Sequence, residues 1–192
     1  LRTPLTSIRG FLETLLDGAV EDPLTARRFL EIMAVETNRL TRLIDDLLHL
    51  SRLEDRRTVL RRERVDMATV VGRVVDIFQT GAREKGLELG VEVEAHLPPV
   101  SGDPDMLAQV LVNLVDNAVK YTPEGGRITI RAGVVGGRLR VSVADTGVGI
   151  PEESLSRVFE RFYRVDKARA REQGGTGLGL AIVKHIVEAH GG

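Results

Sequence analysis

Up to about residue 56 the apolar positions recur at helical spacing. Leu5, Ile8, Phe11, Leu12, Leu15 and Leu16 share one face, which predicts a helix from about Pro4 to Asp17. Gly18 supplies a stop, and Asp22-Pro23 a restart with proline near the first turn. A second, long helix is predicted from about Leu24 to Glu54. Along it Leu30, Met33, Leu40, Ile44 and Leu47 follow heptad spacing, with Thr37 on the same seam, and Leu43, Leu48 and Leu50 widen the stripe. A lone hairpin of this length leaves much of that stripe in water. Pairing with a second copy buries it, and a four-helix bundle is the natural solution.

From Asp55 to Arg64 the chain is dense in charge, which reads as a solvated linker or edge strand, with a nucleic-acid patch as the lesser alternative. Beyond it the pattern turns mixed α/β. A helix is predicted from Met67 to about Glu84, and a half-buried strand from Leu87 to Ala95, where apolar and polar residues alternate. Asp103 is a good N-cap for a helix from Pro104 to about Tyr121. Arg127 to Ala132 and Leu139 to Asp145 alternate as strands joined through Gly136-Gly137. A short helix is predicted over Pro151 to Phe159 and a last one over Thr176 to Ala189. The fold class is therefore α+β: a dimerising helical hairpin (1–56), a linker or edge strand (57–64), and a mixed α/β domain (65–192).

Composition narrows the functions. With 27 basic and 28 acidic residues the formal net charge is −1, so no overall positive field argues for nucleic acid. Aromatic residues make up 4% and Trp is absent, so no base-stacking platform is evident. The chain has no Cys, which excludes disulfides, thiol catalysis and cysteine-ligated metals. No apolar run approaches the roughly 18–20 residues that span a bilayer. The chain opens at Leu1 rather than Met, and both ends read as cuts through a longer protein.

Three polar clusters carry the candidate chemistry. Asn113 and Asn117 are four apart and share a helix face, with Lys120 and Tyr121 following. An amide oxygen is a hard ligand suited to Mg²⁺, and Lys120 can offset phosphate charge; a solvated polar face gives the same pattern. Asp145 ends a strand and is followed by Gly147 and Gly149, which let the backbone approach a flat ligand. That carboxylate can accept from the exocyclic amine of adenine, or belong to an ordinary Asp-x-Gly turn. Gly174, Gly175, Thr176, Gly177, Leu178 and Gly179 form a glycine-rich loop entering a helix, whose amides favour anions. It is not a Walker loop and not a dinucleotide fingerprint, and a plain hinge is the alternative. Phe159, Phe162 and Tyr163, between the last two clusters, read as core or lid anchors, and Arg164 as a phosphate contact or a surface ion pair.

Taken in order, these clusters resemble the bacterial sensor histidine kinases of two-component systems, over essentially the whole chain. Asn113 to Thr122 resembles the N box of that family, Asp145 to Pro151 its G1 box, Val158 to Arg164 its F box and Gly175 to Leu180 its G2 box. Leu1-Arg2-Thr3-Pro4-Leu5-Thr6 is similar to the tail of its H box, and Leu47 to Glu54 to the end of its second dimerisation helix. The resemblance implies the ATP-binding sandwich with a mobile lid that is shared with gyrase-type ATPases and heat-shock-90 chaperones. It implies ATP and Mg²⁺ as cofactors, with Asn117 as first metal ligand and Asn113 as second ligand or phosphate contact. Asp145 reads adenine with Gly147 and Gly149 beside it. Lys120, Tyr121, Arg164 and the loop Gly175, Thr176, Gly177, Leu178, Gly179 hold the phosphates. Thr3 matches the position that orients water for hydrolysis of a phosphorylated aspartate.

The implied function is transfer of the ATP γ-phosphate to a histidine and then to a response-regulator aspartate, with phosphatase activity as a companion. The implied partners are a second copy through residues 1–56, a receiver domain, and an upstream sensor or membrane region, with the chain on the cytoplasmic side and no nucleic acid. Two departures from the pattern stand out. The phosphoacceptor histidine falls just before Leu1, so this stretch alone is expected to bind nucleotide without phosphorylating itself. The two strands expected to complete the sheet fall after Gly192. His49, His96, His185 and His190 are expected to be surface or structural residues. The alternatives are a nucleotide-gated dimerisation module without kinase activity, and a serine-directed kinase or chaperone-type ATPase.

Overall fold

The computed structural model describes residues 2–54, 60–165 and 175–192. Leu1, residues 55–59 and residues 166–174, Gly174 among them, lie outside the described residues. Helix α1 spans Arg2–Leu16 and α2 spans Pro23–Glu54, joined by a 3₁₀ turn at Ala19–Glu21. Gly18 ends α1 in the left-handed region, at φ 114°, where a side chain is disfavoured. Asp22 starts α2 by accepting from the Leu24 amide (3.2 Å) and the Thr25 hydroxyl (2.6 Å). The two helices pack through Phe11 and Phe29, whose ring centroids lie 5.0 Å apart. The seam hydroxyl of Thr37 donates to the Met33 carbonyl at 2.8 Å, which satisfies it within its own helix.

Strand β1 (Glu63–Val65) pairs antiparallel with β3 (Val100–Gly102). The main sheet is β2 (Glu88–Val93), β4 (Arg127–Val135) and β5 (Arg138–Asp145), in the order β2-β4-β5. β2 runs parallel to β4, and β4 antiparallel to β5. Gly136 and Gly137 close the β4–β5 hairpin with φ of 59° and 76°, the left-handed pair a two-residue hairpin requires. Helices α3 (Met67–Glu84), α4 (Pro104–Tyr121), α5 (Glu152–Leu155) and α6 (Gly179–Ala189) are the other α-helices among the described residues. Asp66 caps α3 through the Ala68 amide, and Asp103 caps α4 through the amides of Asp105 and Met106.

Helix α4 is the axis on which the site is built. One side, through Leu111 and Val115, joins Val70, Val71 and Val74 of α3 and Ile130 of β4 in the main core. Val110, on another side, meets Leu178, Ile182, Val183 and Ile186 at the start and along the face of α6. Leu50 of α2 belongs to the same cluster, so the long hairpin helix docks on α6. Ile182 and Ile186 are fully buried; cutting either back to Ala costs about 2–5 kcal/mol in a site that cannot collapse.

Three expectations change in detail, and one strand was not expected. The helix expected over Pro151 to Phe159 is only Glu152–Leu155. After it the chain proceeds in turns, with the Arg157 amide bonded to the Ser154 carbonyl and the Glu160 amide to the Arg157 carbonyl, because the backbone is being steered toward the glycine-rich loop. The last helix begins at Gly179 rather than Thr176, since Gly177 sits at φ 74°, outside helical space. Strand β2 stops at Val93, and the Glu94 carboxylate instead accepts from the Val134 amide at 2.9 Å. Strand β3 had no periodic signal, being three residues long.

Candidate functional site

Asn113 and Asn117 stand one turn apart on α4, both partly buried. The Asn113 Oδ1 accepts from Gln109 Nε2 at 3.3 Å, while its Nδ2 is buried with no hydrogen-bond partner. A side chain added at Gly179 would lie 3.6 Å from the Asn113 carboxamide. Asn113 therefore lies beneath the first turn of α6, where backbone amides and the helix dipole favour an anion. An orphaned buried donor at that spot fits a phosphate oxygen. Lys120, one turn beyond Asp116, forms an ion pair with it.

The far end of α4 meets the second cluster. The Tyr121 carbonyl accepts from the Val148 amide at 3.3 Å. Asp145 ends β5 and its Oδ1 accepts from the Gly147 amide at 2.8 Å, leaving the carboxylate exposed. A side chain at Gly147 would come within 2.6 Å of the Tyr121 carbonyl and 2.7 Å of Asp145 Oδ1, so only glycine fits there. Gly149 holds φ 70°.

The third cluster is stitched to the aromatic segment. Phe162, itself at φ 61°, donates its amide to the Gly177 carbonyl at 2.8 Å. A side chain at Gly177 would meet the Phe162 backbone at 3.0 Å. Tyr163 donates to Ser154 Oγ at 3.0 Å, and the Arg157 guanidinium lies 4.3 Å from its ring centroid. This anchors the segment that carries Arg164, which is partly buried. Leu178 is fully buried and pins the loop to the apolar cluster. Gly175 opens the described part of this loop.

Thr3 stands apart in character: it is exposed in the first turn of α1, on the helix that packs against α2. Two residues were missed in the sequence. Gln109 escaped notice as an ordinary polar residue one turn before Asn113. Asp46 of α2 accepts from the Thr176 hydroxyl at 2.7 Å. Burial raises its carboxyl above the ordinary value, against the opposing pull of the Thr176 hydroxyl and Lys120. Its signal was its position, three after Leu43 and four before Leu50 on one helix face. His190 is structural: its Nε2 accepts from the Asp103 amide at 3.0 Å, so its Nδ1 carries the proton and donates to the Ile186 carbonyl at 2.7 Å. Among the described residues no cluster of three or more His, Cys, Asp or Glu could hold a metal ion.

A helical hairpin joined to a mixed α/β unit, with a helix start that favours anions and a carboxylate-ended strand both held by one helix, is an architecture suited to binding a nucleotide. Residues 1–56 match the His Kinase A (phospho-acceptor) domain, and residues 102–192 the Histidine kinase-, DNA gyrase B-, and HSP90-like ATPase family. The whole chain is 45% identical to the sensor histidine kinase WalK of Bacillus subtilis, of which it covers 32%. The structure of the Acinetobacter baumannii histidine kinase AdeS matches at TM-score 0.74 and 30% identity, covering 98% of this chain and 85% of that one. Histidine kinase ThkA, solved in complex with the response regulator protein TrrA, matches at TM-score 0.73 and 29% identity, covering 85% of this chain and 47% of that one. The chain belongs to the sensor histidine kinase family. It spans about a third of the length of the curated relatives it matches.

Proposed function

We propose that this chain is the ATP-binding and dimerising part of a protein-histidine kinase that feeds a response regulator. The observation that carries this is the convergence on α4: Asn113 lies under the start of α6, and Tyr121 is bonded to the Asp145 loop. One helix thereby sets the distance between a base-reading carboxylate and a phosphate-holding loop. Asp145 accepts from the adenine amine, and Gly147 and Gly149 leave room for the ring. The Asn113 Nδ2, Lys120, Tyr121, Arg164 and the loop Gly175 to Gly179 hold the phosphates.

The residues present fit Mg²⁺ as well as ATP. Asn117 is the first candidate ligand, through its amide oxygen. The Asn113 amide, with its oxygen already engaged by Gln109 and its nitrogen unpartnered, suits a phosphate oxygen better than a cation. When bound, Mg²⁺ neutralises charge developing between the β- and γ-phosphates. The protein's own part is positioning and charge compensation.

In the longer protein the γ-phosphoryl group passes to an imidazole nitrogen, ADP leaves, and a receiver aspartate takes the phosphoryl group next. Thr3 orients water for hydrolysis of that aspartyl phosphate. Leu30, Ile44 and Leu47 are 57%, 44% and 44% exposed in the single chain, which supports a second copy covering the hairpin seam. A sensor region and a membrane anchor complete the assembly elsewhere in the protein. No described helix is long and apolar enough to cross a membrane. The alternative of a nucleotide-gated module without kinase activity is not favoured, since residues 1–56 match a phosphoacceptor family.

The test is incubation of the full-length protein with γ-labelled ATP and Mg²⁺. The expected product is an acid-labile, base-stable label that moves to an added receiver domain. A protein that binds ATP and stays unlabelled would overturn the kinase reading.

A further inference from the structure

The contact between α2 and the glycine-rich loop is specific. Leu43 and Leu50 of α2 sit in or against the cluster formed by Leu178, Ile182, Val183 and Ile186. Asp46 lies between them on the same face, and its Oδ2 receives the Thr176 hydroxyl at 2.7 Å. The same Thr176 oxygen accepts from the Leu178 amide at 3.2 Å. A hydroxyl has one proton to give. While Asp46 holds it, Thr176 cannot donate to a phosphate, and the Leu178 amide, a backbone donor at the entrance to α6, is engaged too. Lys120 exerts its charge on this same carboxylate. An anionic group thus already stands among the donors that face an incoming phosphate.

We propose that Asp46 acts as a built-in phosphate surrogate: docking of α2 on the loop and binding of a nucleoside triphosphate exclude each other, whereas a diphosphate is tolerated. The proposal rests on the ATP-site reading above. Like charge and shared donors make the exclusion mutual, so a triphosphate loosens the docked helix by the same factor by which docking weakens the triphosphate. The loss of one charge-assisted hydrogen bond sets the scale at about tenfold. The apolar contacts of Leu43 and Leu50 supply docking without contributing to the discrimination. Asp46 thereby couples the phosphate state of the nucleotide to the freedom of the catalytic unit relative to the hairpin.

The test is calorimetric titration of the whole chain with the β,γ-imido analogue of ATP and with ADP, each with Mg²⁺, together with hydrogen exchange over residues 43–50 and 176–186. Asp46→Ala is expected to tighten the analogue about tenfold and to move ADP by no more than about twofold. Leu50→Glu, which undocks the helix by another route, is expected to give the same selective gain. In the unaltered chain the analogue, but not ADP, is expected to speed exchange in both segments. Equal effects of Asp46→Ala on both nucleotides, or docked-state protection that survives saturating analogue, would overturn the surrogate while leaving the ATP site intact. Failure of the unaltered chain to bind either nucleotide would overturn both readings.

Discussion

Gly147 and His190 show how single residues hold the site. Gly147 has no room for a methyl group, because the obstacle is the Tyr121 carbonyl, which is backbone and belongs to α4. Gly147→Ala is therefore expected to displace the Asp145 loop, lowering stability by about 1–3 kcal/mol and weakening adenine-nucleotide binding. Thermal melting and nucleotide titration of the variant check this. His190 links the start of α4 to the end of α6 through both ring nitrogens. His190→Leu leaves the Asp103 amide without its partner and takes the side-chain donor from the Ile186 carbonyl, which keeps the residue-190 backbone amide; the cost is about 1–3 kcal/mol, read from chemical denaturation. The glycines were legible as loop markers in the sequence. The reason Gly147 must be glycine was not, since the clash comes from a residue 26 positions earlier.

At the scale of elements, local chemistry made the helices legible. Asp66 and Asp103 were each followed by a strongly patterned helix, and both cap as N-terminal acceptors. The caps also carry a pH signature. The Thr69 hydroxyl and then the Ala68 amide hold the Asp66 carboxyl below its ordinary value of 3.8, and the Thr25 hydroxyl and Leu24 amide do the same for Asp22. A carboxyl depressed in the folded state stabilises it fully above its unfolded value. That contribution is lost as pH falls through 3.8 and on through the depressed folded value. Helicity followed on acidification is expected to fall across that window, and Asp66→Asn is expected to flatten the part due to α3. Short elements were less legible. The three-residue strands β1 and β3 exist because they pair with each other, and the turns after α5 exist because Phe162 must reach Gly177. Both causes are tertiary, and no window of a dozen residues contains them.

At the scale of the molecule, the order of the three polar clusters was legible, but the docking of α2 on α6 was not. It depends on Leu43, Asp46 and Leu50 sharing a face whose partner lies about 130 residues away. That docking carries the opposite pH sign from the caps. Burial raises the Asp46 carboxyl, with Thr176, Lys120 and His49 opposing and Asp45 reinforcing the shift. The docked state binds the proton more tightly, so docking is expected to strengthen as pH falls through the raised value toward 3.8. Hydrogen exchange at the α2–α6 contact measured against pH checks it. The hairpin seam lies apart from that contact. Sedimentation is expected to show a dimer for the unaltered chain, and Leu30→Asp combined with Ile44→Asp is expected to shift it to monomer by placing charge on both ends of the seam.

In the proposed function Asp145 reads the adenine base of ATP in a pocket built on α4. The most direct measurement is titration calorimetry of ATP and Mg²⁺ into the unaltered chain, Asp145→Asn and Thr3→Ala. The expected result is saturable binding by the unaltered chain, a loss of about tenfold or more for Asp145→Asn, and no change beyond about twofold for Thr3→Ala. Comparable losses in the two variants, or an Asp145→Asn chain that binds as tightly as the original, would contradict it.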